Sequence, residues 1–228
     1  MPSVIETNRL NKSETSVARL TIAIAKGRLQ DDVIGLLSRA GIVVSEMILK
    51  SRRLAIEDES RLFRFVFVKP SDVPVYVEYG IADCGIVGRD VLLESGADLL
   101  QPLDLKIGKC RLVVAALRQD LLSDSIGMLR VATKYPRIAA GYFGARGLPI
   151  DLITLSGSVE LAPILGLSDC IVDLVETGRT LEENGLVIVE EIMVSTARLV
   201  INRASYQLKT PVIAELINNL DKGGLDND

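Results

Sequence analysis

The sequence predicts an α/β fold with two lobes and a ligand cleft between them. Short apolar runs of strand length alternate with segments of helical periodicity along most of the chain. Such alternation is typical of parallel β-sheets covered by helices on both faces. The 228 residues hold more strand–helix units than one sheet needs, so we expect two lobes. Ligands of open α/β sheets bind beyond the carboxyl ends of the strands, which places the ligand in the cleft between the lobes.

The individual elements follow from apolar runs and from the residues that interrupt them. Gly41 and Gly80 are stop signals after helical segments. Ser71 or Asp72 is a candidate helix cap, and Pro211 suits the first turn of a terminal helix. Strands are predicted at 20–25, 61–70, 82–88, 109–117, 130–136, 150–155, 169–175 and 197–204. Helices are predicted at 29–42, 71–80, 89–96, 137–147, 158–166, 180–186 and 210–224.

The order of these units predicts a discontinuous first lobe. The chain is expected to cross to the second lobe near residues 106–110 and to return near 195–198. The C-terminal strand and helix then pack back on the first lobe. The predicted limits are 1–17 for a flexible tail, 18–107 with 196–228 for the first lobe, and 108–195 for the second lobe.

The composition limits the classes of function and the catalytic groups that are expected of this chain. A net charge of -4 without a long basic block argues against a dedicated nucleic-acid binder. The sequence shows no secretion signal, and no apolar run approaches the roughly 20 residues of a membrane helix, so we expect a cytoplasmic protein without a membrane partner.

Cys84, Cys110 and Cys170 form no Cys-x-x-Cys pair and are predicted to be buried, reduced thiols. Histidine is absent, so catalysis must use carboxylates, cationic side chains, hydroxyls, backbone dipoles or a substrate-borne metal.

The stretch CIVDLVETGRTLEENGL at 170–186 is the first candidate site. A buried strand ends there at a loop with a glycine and two threonine hydroxyls, and a helix follows. Backbone N–H groups at a helix start and hydroxyl groups bind phosphate, whereas carboxylates accept hydrogen bonds from a ribose diol. The stretch therefore predicts a phosphoribosyl site, with a capped turn as the structural alternative. The residues involved are Asp173, Glu176, Thr177, Gly178, Arg179 and Thr180.

Further polar groups lie in loops or beside predicted strands. Ser156-Gly157-Ser158 is a second candidate anion-binding turn, and Glu160 follows it in the first turn of a helix. The basic loops at 26–28 and 50–53 could bind phosphates, although both could equally be solvated turns. An acid beside a glycine-rich strand could accept a hydrogen bond from a base or ribose, or be a turn acid. These remaining candidates are Lys26, Gly27, Arg28, Arg52, Arg53 and Asp83.

Six motifs in one order resemble the short form of the ATP phosphoribosyltransferase family. They are IAKGRL at 24–29, SRRL at 51–54, KPSDVPVYVEYGIADCGIVGRDVL at 69–92, RVATKYP at 130–136, LSGSVELAPILGLSDCIVDLVETGRTLEENGL at 155–186 and RLVIN at 198–202. The resemblance extends over residues 20–205, nearly the whole folded part of the chain.

The resemblance implies a two-lobed fold like that of periplasmic binding proteins. It implies transfer of the phosphoribosyl group of phosphoribosyl pyrophosphate (PRPP) to an adenine ring nitrogen of ATP, the first step of histidine biosynthesis. Magnesium would arrive on the substrate, without a metal site formed by protein alone. Short forms act with a regulatory subunit similar to histidyl-tRNA synthetase, which implies a homodimer within a hetero-oligomer.

The resemblance also implies which part of the substrates each candidate residue would bind. The 5'-phosphate would lie on residues 177–180, where the Arg179 side chain has the weakest assignment, and Asp173 would belong to the same phosphoribosyl loop. Glu160 and Glu176 would bind ribose hydroxyls. The six residues that would face ATP or pyrophosphate are Lys26, Gly27, Arg28, Arg52, Arg53 and Asp83.

Two other functions fit parts of the same pattern. A ligand-binding protein of this fold without catalysis would be expected to carry a signal peptide or a DNA-binding segment, and neither is visible. A nucleobase salvage phosphoribosyltransferase usually has two adjacent acids before its loop, whereas Asp173 and Glu176 are separated.

Overall fold

Two β-sheets with helices on both faces form the molecule, in a computed structural model that describes residues 19–44, 55–57, 62–124 and 127–225. The strands are β1 (Leu20–Ala25), β2 (Ala55–Glu57), β3 (Phe63–Val68), β4 (Cys84–Gly88), β5 (Leu100–Asp104), β6 (Cys110–Ala116), β7 (Leu129–Thr133), β8 (Ile150–Thr154), β9 (Cys170–Val175), β10 (Val187–Ser195) and β11 (Ala197–Ile201). The helices are α1 (Gln30–Arg39), α2 (Val73–Glu78), α3 (Arg89–Ser95), α4 (Leu121–Asp124), α5 (Pro136–Ala145), α6 (Leu161–Ile164), α7 (Arg179–Glu183), α8 (Arg203–Leu208) and α9 (Thr210–Leu225).

The first sheet has the order β2-β3-β1-β4-β11-β5, and with its helices we call it the first lobe. Five of the six residues of β1 are apolar, and the strand runs parallel to β3 and β4, which is typical of a strand buried on both faces. One face packs against α1 and α9 through residues such as Leu36 and Ile213. The other face packs against α2 and α3 through Val77 and Leu92. The sheet is therefore buried on both sides and leaves its strand ends free to carry polar groups.

The second sheet has the order β10-β6-β9-β7-β8, and with its helices we call it the second lobe. α5 covers one face through Ala139 and Phe143. The opposite face packs against α6 and α7 through Ala162 and Leu181. These two short helices follow β8 and β9, so both begin at the carboxyl ends of strands.

The two connections between the sheets run side by side and are tied together by Asp104. Its Oδ1 atom accepts a hydrogen bond from the Lys106 N–H at 3.0 Å and from the Thr196 hydroxyl at 2.8 Å. Its Oδ2 atom lies 2.8 Å from Arg198 Nη2. One carboxylate thus holds both the outgoing connection and the returning one. We keep 18–107 with 196–228, and 108–195, as the proposed limits of the lobes.

The strands differ from the sequence prediction in number and in direction. β1, β4 and β9 lie where the apolar runs predict them, whereas β2, β5 and β10 are additional. The expectation of parallel sheets is wrong in part: β2, β6, β10 and β11 pair antiparallel with their neighbours. The reason is that a strand can enter a sheet antiparallel without a crossover helix, and only Thr196 separates β10 from β11.

Some predictions concern residues outside the described ranges. The flexible tail predicted at 1–17 lies there, so it stays a prediction. Among the helices of the described part of the chain, none has the length and apolar character needed to cross a membrane.

Candidate functional site

A cavity of about 270 Å³ lies at the carboxyl end of β9 and faces the first lobe. The second lobe contributes acids, hydroxyls and backbone, and the first lobe contributes one guanidinium. All seven residues predicted to bind the phosphoribosyl group line this cavity, although their individual roles stay predictions. The lining residues are Arg28, Cys110, Glu160, Asp173, Leu174, Val175, Glu176, Thr177, Gly178, Arg179, Thr180 and Leu181.

The loop after β9 owes its shape to Gly178. This residue has φ 90° and ψ -7°, and it immediately precedes α7. A left-handed conformation costs roughly 1–2 kcal/mol for a residue with a Cβ, so glycine fits here better than any other residue. The Thr177 hydroxyl accepts a long hydrogen bond of 3.4 Å from the Arg179 N–H. The turn therefore bends sharply and presents its backbone and hydroxyls to the cavity.

Asp173 is a buried carboxylate within β9, with 8% of its surface exposed. Its Oδ1 atom accepts a hydrogen bond of 2.9 Å from the N–H of Leu174. Burial raises the pKa of Asp173, the Lys134 ammonium and the Leu174 N–H lower it, and the Glu160 carboxylate raises it further. The site holds this acid at an energetic cost, which is typical of a group kept for a ligand.

Arg28 connects the first lobe to this cavity. Its guanidinium donates hydrogen bonds to the Gly108 carbonyl at 3.1 Å and to the Cys110 sulfur at 3.5 Å. Its Nη1 atom also lies 3.8 Å from Glu176 Oε1. Arg28 thus contacts both the connection between the sheets and Glu176 in the loop after β9, and its positive charge lies at the cavity.

A second cavity of about 130 Å³ adjoins the first and shares Arg28 and Leu174 with it. Lys26 lies at its edge, directly after β1, and Gly27 turns the chain beside it with φ 93°. The other lining residues come from both lobes. They are Ala25, Leu29, Pro70, Gly88, Asp90, Val91 and Tyr135.

Asp90 and Tyr135 form the polar wall of this second cavity. Asp90 is 3% exposed, and its Oδ1 atom accepts a hydrogen bond of 2.6 Å from the Ser195 hydroxyl. Burial, the charges of Asp90 and Asp173, and a hydrogen bond to Asp90 all raise the pKa of Tyr135, so its hydroxyl stays protonated and donates. Tyr135 follows β7 and Asp90 follows β4, so the pair joins the two lobes.

The structure does not bring Asp83 to either cavity, so their geometry gives its predicted role towards ATP no support and that role stays a prediction. Asp83 precedes β4, at the opposite strand end from Lys26. It is 6% exposed, and its oxygens accept hydrogen bonds from the Thr21 N–H at 2.8 Å and the Ser205 hydroxyl at 2.7 Å. Lys209 Nζ lies 2.8 Å from its Oδ2 atom. Asp83 is thus a structural acid that ties the C-terminal helices to the first sheet.

Three of the candidate residues are arginines whose roles the geometry of the cavities does not decide. Arg52 and Arg53 lie outside the described residues, so their roles stay predictions. Arg179 lines the cavity, but its side chain is 82% exposed and its Nε atom donates to Glu183 Oε1 at 2.7 Å. The role of the Arg179 side chain stays a prediction.

The comparisons with known proteins agree on one family. The family model of ATP phosphoribosyltransferase matches residues 69–222. A protein named ATP phosphoribosyltransferase from Geobacter metallireducens is 48% identical over 206 residues, which are 89% of this chain and 97% of that protein. The chain belongs to the ATP phosphoribosyltransferase family. Its activity is therefore transfer of the phosphoribosyl group of PRPP to an adenine ring nitrogen of ATP, which gives phosphoribosyl-ATP and pyrophosphate in the first step of histidine biosynthesis.

Solved structures confirm the fold. The ATP phosphoribosyl transferase (HisG:HisZ) complex from Thermotoga maritima contains a chain with a TM-score of 0.78 and 37% identity, over 91% of this chain and 100% of that one. The periplasmic aliphatic sulphonate binding protein SsuA from Escherichia coli is similar with a TM-score of 0.57 and 15% identity, over 91% of this chain and 72% of that one. The predicted fold like that of periplasmic binding proteins is thus confirmed.

In this phosphoribosyltransferase, the sequence prediction missed four polar residues at or beside the cavities. Cys110 lines the first cavity, Asp90 and Tyr135 line the second, and Lys134 acts electrostatically on Asp173. A signal was present for three of them: Lys134 and Tyr135 follow β7, and Asp90 follows β4, so all three lie beyond carboxyl ends of strands. Cys110 begins a strand and offered no such signal.

Proposed function

We propose that the larger cavity of this ATP phosphoribosyltransferase holds PRPP. The observation that carries this assignment is the convergence of Glu160, Asp173 and Glu176 on one cavity with the hydroxyl and glycine loop at 177–180. The loop offers N–H and hydroxyl donors for the 5'-phosphate. The acids Glu160 and Glu176 offer acceptors for the ribose hydroxyls, and Asp173 stands at the base of the loop.

The smaller cavity is where we place the adenine ring of ATP. It adjoins the PRPP cavity through Arg28 and Leu174, so a ring nitrogen there would approach the anomeric carbon. Lys26 carries positive charge beside the smaller cavity, and Arg28 carries positive charge beside both cavities. We keep Lys26, Gly27, Arg28, Arg52 and Arg53 as the groups that face ATP phosphates or pyrophosphate, without Asp83.

The chemistry proposed for these residues is positioning and charge stabilisation. The attacking adenine nitrogen is neutral and unprotonated near neutral pH, so the protein need not supply a general base. Holding both substrates in the cleft can lower the barrier by roughly 7–11 kcal/mol. Arg28, with Lys26 beside it, stabilises the negative charge that grows on the departing pyrophosphate.

Magnesium fits this site as an ion carried by pyrophosphate. The cavity offers oxygen ligands, which Mg²⁺ prefers. Across the described ranges, however, no three acidic or cysteine side chains cluster closely enough to hold a metal ion. We infer that Mg²⁺, when bound, neutralises the pyrophosphate charge, with the carboxylates of the cavity as partial ligands.

A regulatory partner is part of the proposal. The similar Thermotoga maritima chain comes from a HisG:HisZ complex. We propose that this chain likewise assembles with a regulatory subunit similar to histidyl-tRNA synthetase, as a homodimer within a hetero-oligomer. Because ATP and PRPP are made inside cells, we place the reaction in the cytoplasm.

The deciding experiment measures phosphoribosyl-ATP formation from ATP, PRPP and Mg²⁺, with and without the regulatory subunit. We expect product from ATP and none from free adenine, and a change of rate with partner plus histidine. Binding of both substrates without product under either condition would instead favour the ligand-binding protein. Product from free adenine would favour a salvage enzyme.

Replacing Glu176 with alanine is expected to weaken PRPP binding by about 1.5–3 kcal/mol, roughly 10- to 150-fold in Kd. The reason is that a hydrogen bond from a ribose hydroxyl to a charged acceptor is lost. Glu182→Ala is a matched control, because Glu182 is an exposed acid on the adjoining helix that does not line the cavity. Titration calorimetry with PRPP measures both variants. Unchanged Michaelis constants and turnover in Glu176→Ala would contradict the assignment.

A further inference from the structure

Helix α3 of the first lobe places the Glu94 carboxylate on the start of helix α5 in the second lobe. Glu94 Oε1 accepts a hydrogen bond of 2.9 Å from the Arg137 N–H. Its Oε2 atom accepts one of 3.0 Å from the Ile138 N–H. Both oxygens of one side chain thus bind backbone of the other lobe.

Helix α5 lacks a cap of its own. It begins with Pro136, and the preceding Tyr135 makes no side-chain hydrogen bond to the helix. The N–H groups of Arg137 and Ile138 are among those that a helix leaves without an internal partner. A carboxylate at this end also faces the positive end of the helix dipole. The second lobe therefore obtains its helix cap from the first lobe.

A positively charged side chain of the second lobe makes the reciprocal contact with a helix end of the first lobe. The Arg137 guanidinium lies against Gly96, which ends α3 in a left-handed conformation with φ 64°. A Cβ atom built on Gly96 would lie 2.1 Å from Arg137 Nη1, so a side chain at this position would displace the guanidinium. A cation at the negative end of α3 is favourable. Each lobe thus supplies a charged side chain to a helix end of the other.

These contacts lie at a distance from the connections between the sheets. Helix α3 starts at the returning connection, where the Arg89 N–H donates to the Thr196 carbonyl at 3.0 Å. Glu94 lies five residues further on, about 7.5 Å along the helix axis. Asp90 lies between them, one turn before Glu94, and borders the smaller cavity. Contacts of α3 with the second lobe therefore act on the width of the cleft at the proposed ATP site.

We propose that Glu94 and Arg137 form a latch that holds the two lobes closed. Opening of the cleft would return the Arg137 and Ile138 N–H groups, the carboxylate and the guanidinium to water, so the latch favours the closed state without a large barrier to opening. Glu94 and Arg137 are thus positioning residues that set the balance of open and closed enzyme. Their expected effect on catalysis rests on the proposed function, whereas their expected effect on the separation of the two lobes does not.

The test compares full-length wild type with Glu94→Ala, Glu94→Gln and Arg137→Ala by small-angle X-ray scattering without ligand. We expect a larger radius of gyration for Glu94→Ala and Arg137→Ala, and partial recovery for Glu94→Gln, which keeps one acceptor oxygen. Asp169→Ala is the matched control. Asp169 Oδ2 accepts a hydrogen bond from the Arg130 N–H at 2.8 Å within the second lobe only.

Steady-state kinetics supplies the second readout. Losing a helix cap changes an equilibrium by about 5-fold, so Glu94→Ala is expected to raise both Michaelis constants about 5-fold while kcat stays within about twofold. A lower melting temperature with unchanged scattering and Michaelis constants would overturn the latch and leave a structural role. Absence of product in the wild type would overturn the proposed function, while the scattering comparison would still decide the latch.

Discussion

Replacing Asp83 with alanine is expected to lower the free energy of unfolding by about 3 kcal/mol and to leave PRPP and ATP affinity unchanged. The carboxylate satisfies Thr21, Ser205 and Lys209, and its removal leaves their donors without this acceptor. We choose the low end of the range for a broken buried pair because the Lys209 side chain is 28% exposed and can reach water.

Urea unfolding followed by circular dichroism measures this change. Asp98→Ala is the matched control, because Asp98 pairs with Arg203 at 2.7 Å in the same lobe but on the surface. We expect that control to alter stability little, since exposed ion pairs contribute little. Wild-type stability together with weakened ATP binding in Asp83→Ala would return Asp83 to the ligand site.

Replacing Asp173 with asparagine is expected to stabilise the free protein near neutral pH and to weaken PRPP binding about 10- to 100-fold. The binding loss follows from removing a charged acceptor at the base of the loop. The stability gain follows because the site buries a carboxylate whose pKa is raised by burial. A variant that gains stability as it loses function is the mark of a group retained for its ligand.

The pH dependence distinguishes this account from a general effect of substitution. Because the pKa of Asp173 is raised in the folded state, the folded protein binds the proton more tightly than the unfolded chain does. The carboxyl group therefore favours folding most below its ordinary pKa, and this advantage is lost as pH rises through the raised value. Asparagine does not titrate, so the gain of Asp173→Asn should be small near pH 4 and grow towards about pH 7.

Chemical unfolding at a series of pH values measures the difference between Asp173→Asn and the wild type. Asp151→Asn serves as the control, since Asp151 is an exposed acid on β8 of the same sheet. Equal or lower stability of Asp173→Asn at every pH would show that burial does not penalise this carboxylate.

Elements that depend on local sequence were predictable. β1 is found at 20–25 as its apolar run predicts, and the loop at 176–180 follows β9 as the glycine and hydroxyl pattern predicts. Both features are decided by neighbours in the chain: a run of mostly apolar side chains favours a strand buried on two faces, and Gly178 permits a left-handed turn. Glu160 meets this loop because β8 and β9 both run parallel to β7, which lies between them, so the carboxyl ends of the two strands lie at the same edge of the sheet.

Strand direction was not predictable from local sequence. β10 and β11 are separated by one residue yet belong to different sheets, and each pairs with strands made much earlier in the chain. Periodicity reports how a strand is buried, but it does not report which partner lies beside it. The edge strand β5 contains Pro102 and polar residues, so its pattern gives little strand signal at all.

The two acids on either side of β4 differ in where they lie relative to the cavities. Asp83 and Asp90 both adjoin the same glycine-rich strand, one before it and one after it. The carboxyl-end rule selects Asp90, which lines the smaller cavity, and not Asp83, which lies at the opposite end. Glu94 had no such signal, because a contact between lobes requires knowledge of how the lobes face each other.

The place of β11 between β4 and β5 determines when the first lobe can be completed during synthesis. All five strands of the second sheet leave the ribosome before residue 197, whereas the first sheet still lacks an inner strand at that time. In the described residues β5 pairs only with β11, so it has no sheet partner until then. The nascent chain therefore carries a finished second lobe beside a first lobe whose β4 edge is open to pairing with other chains.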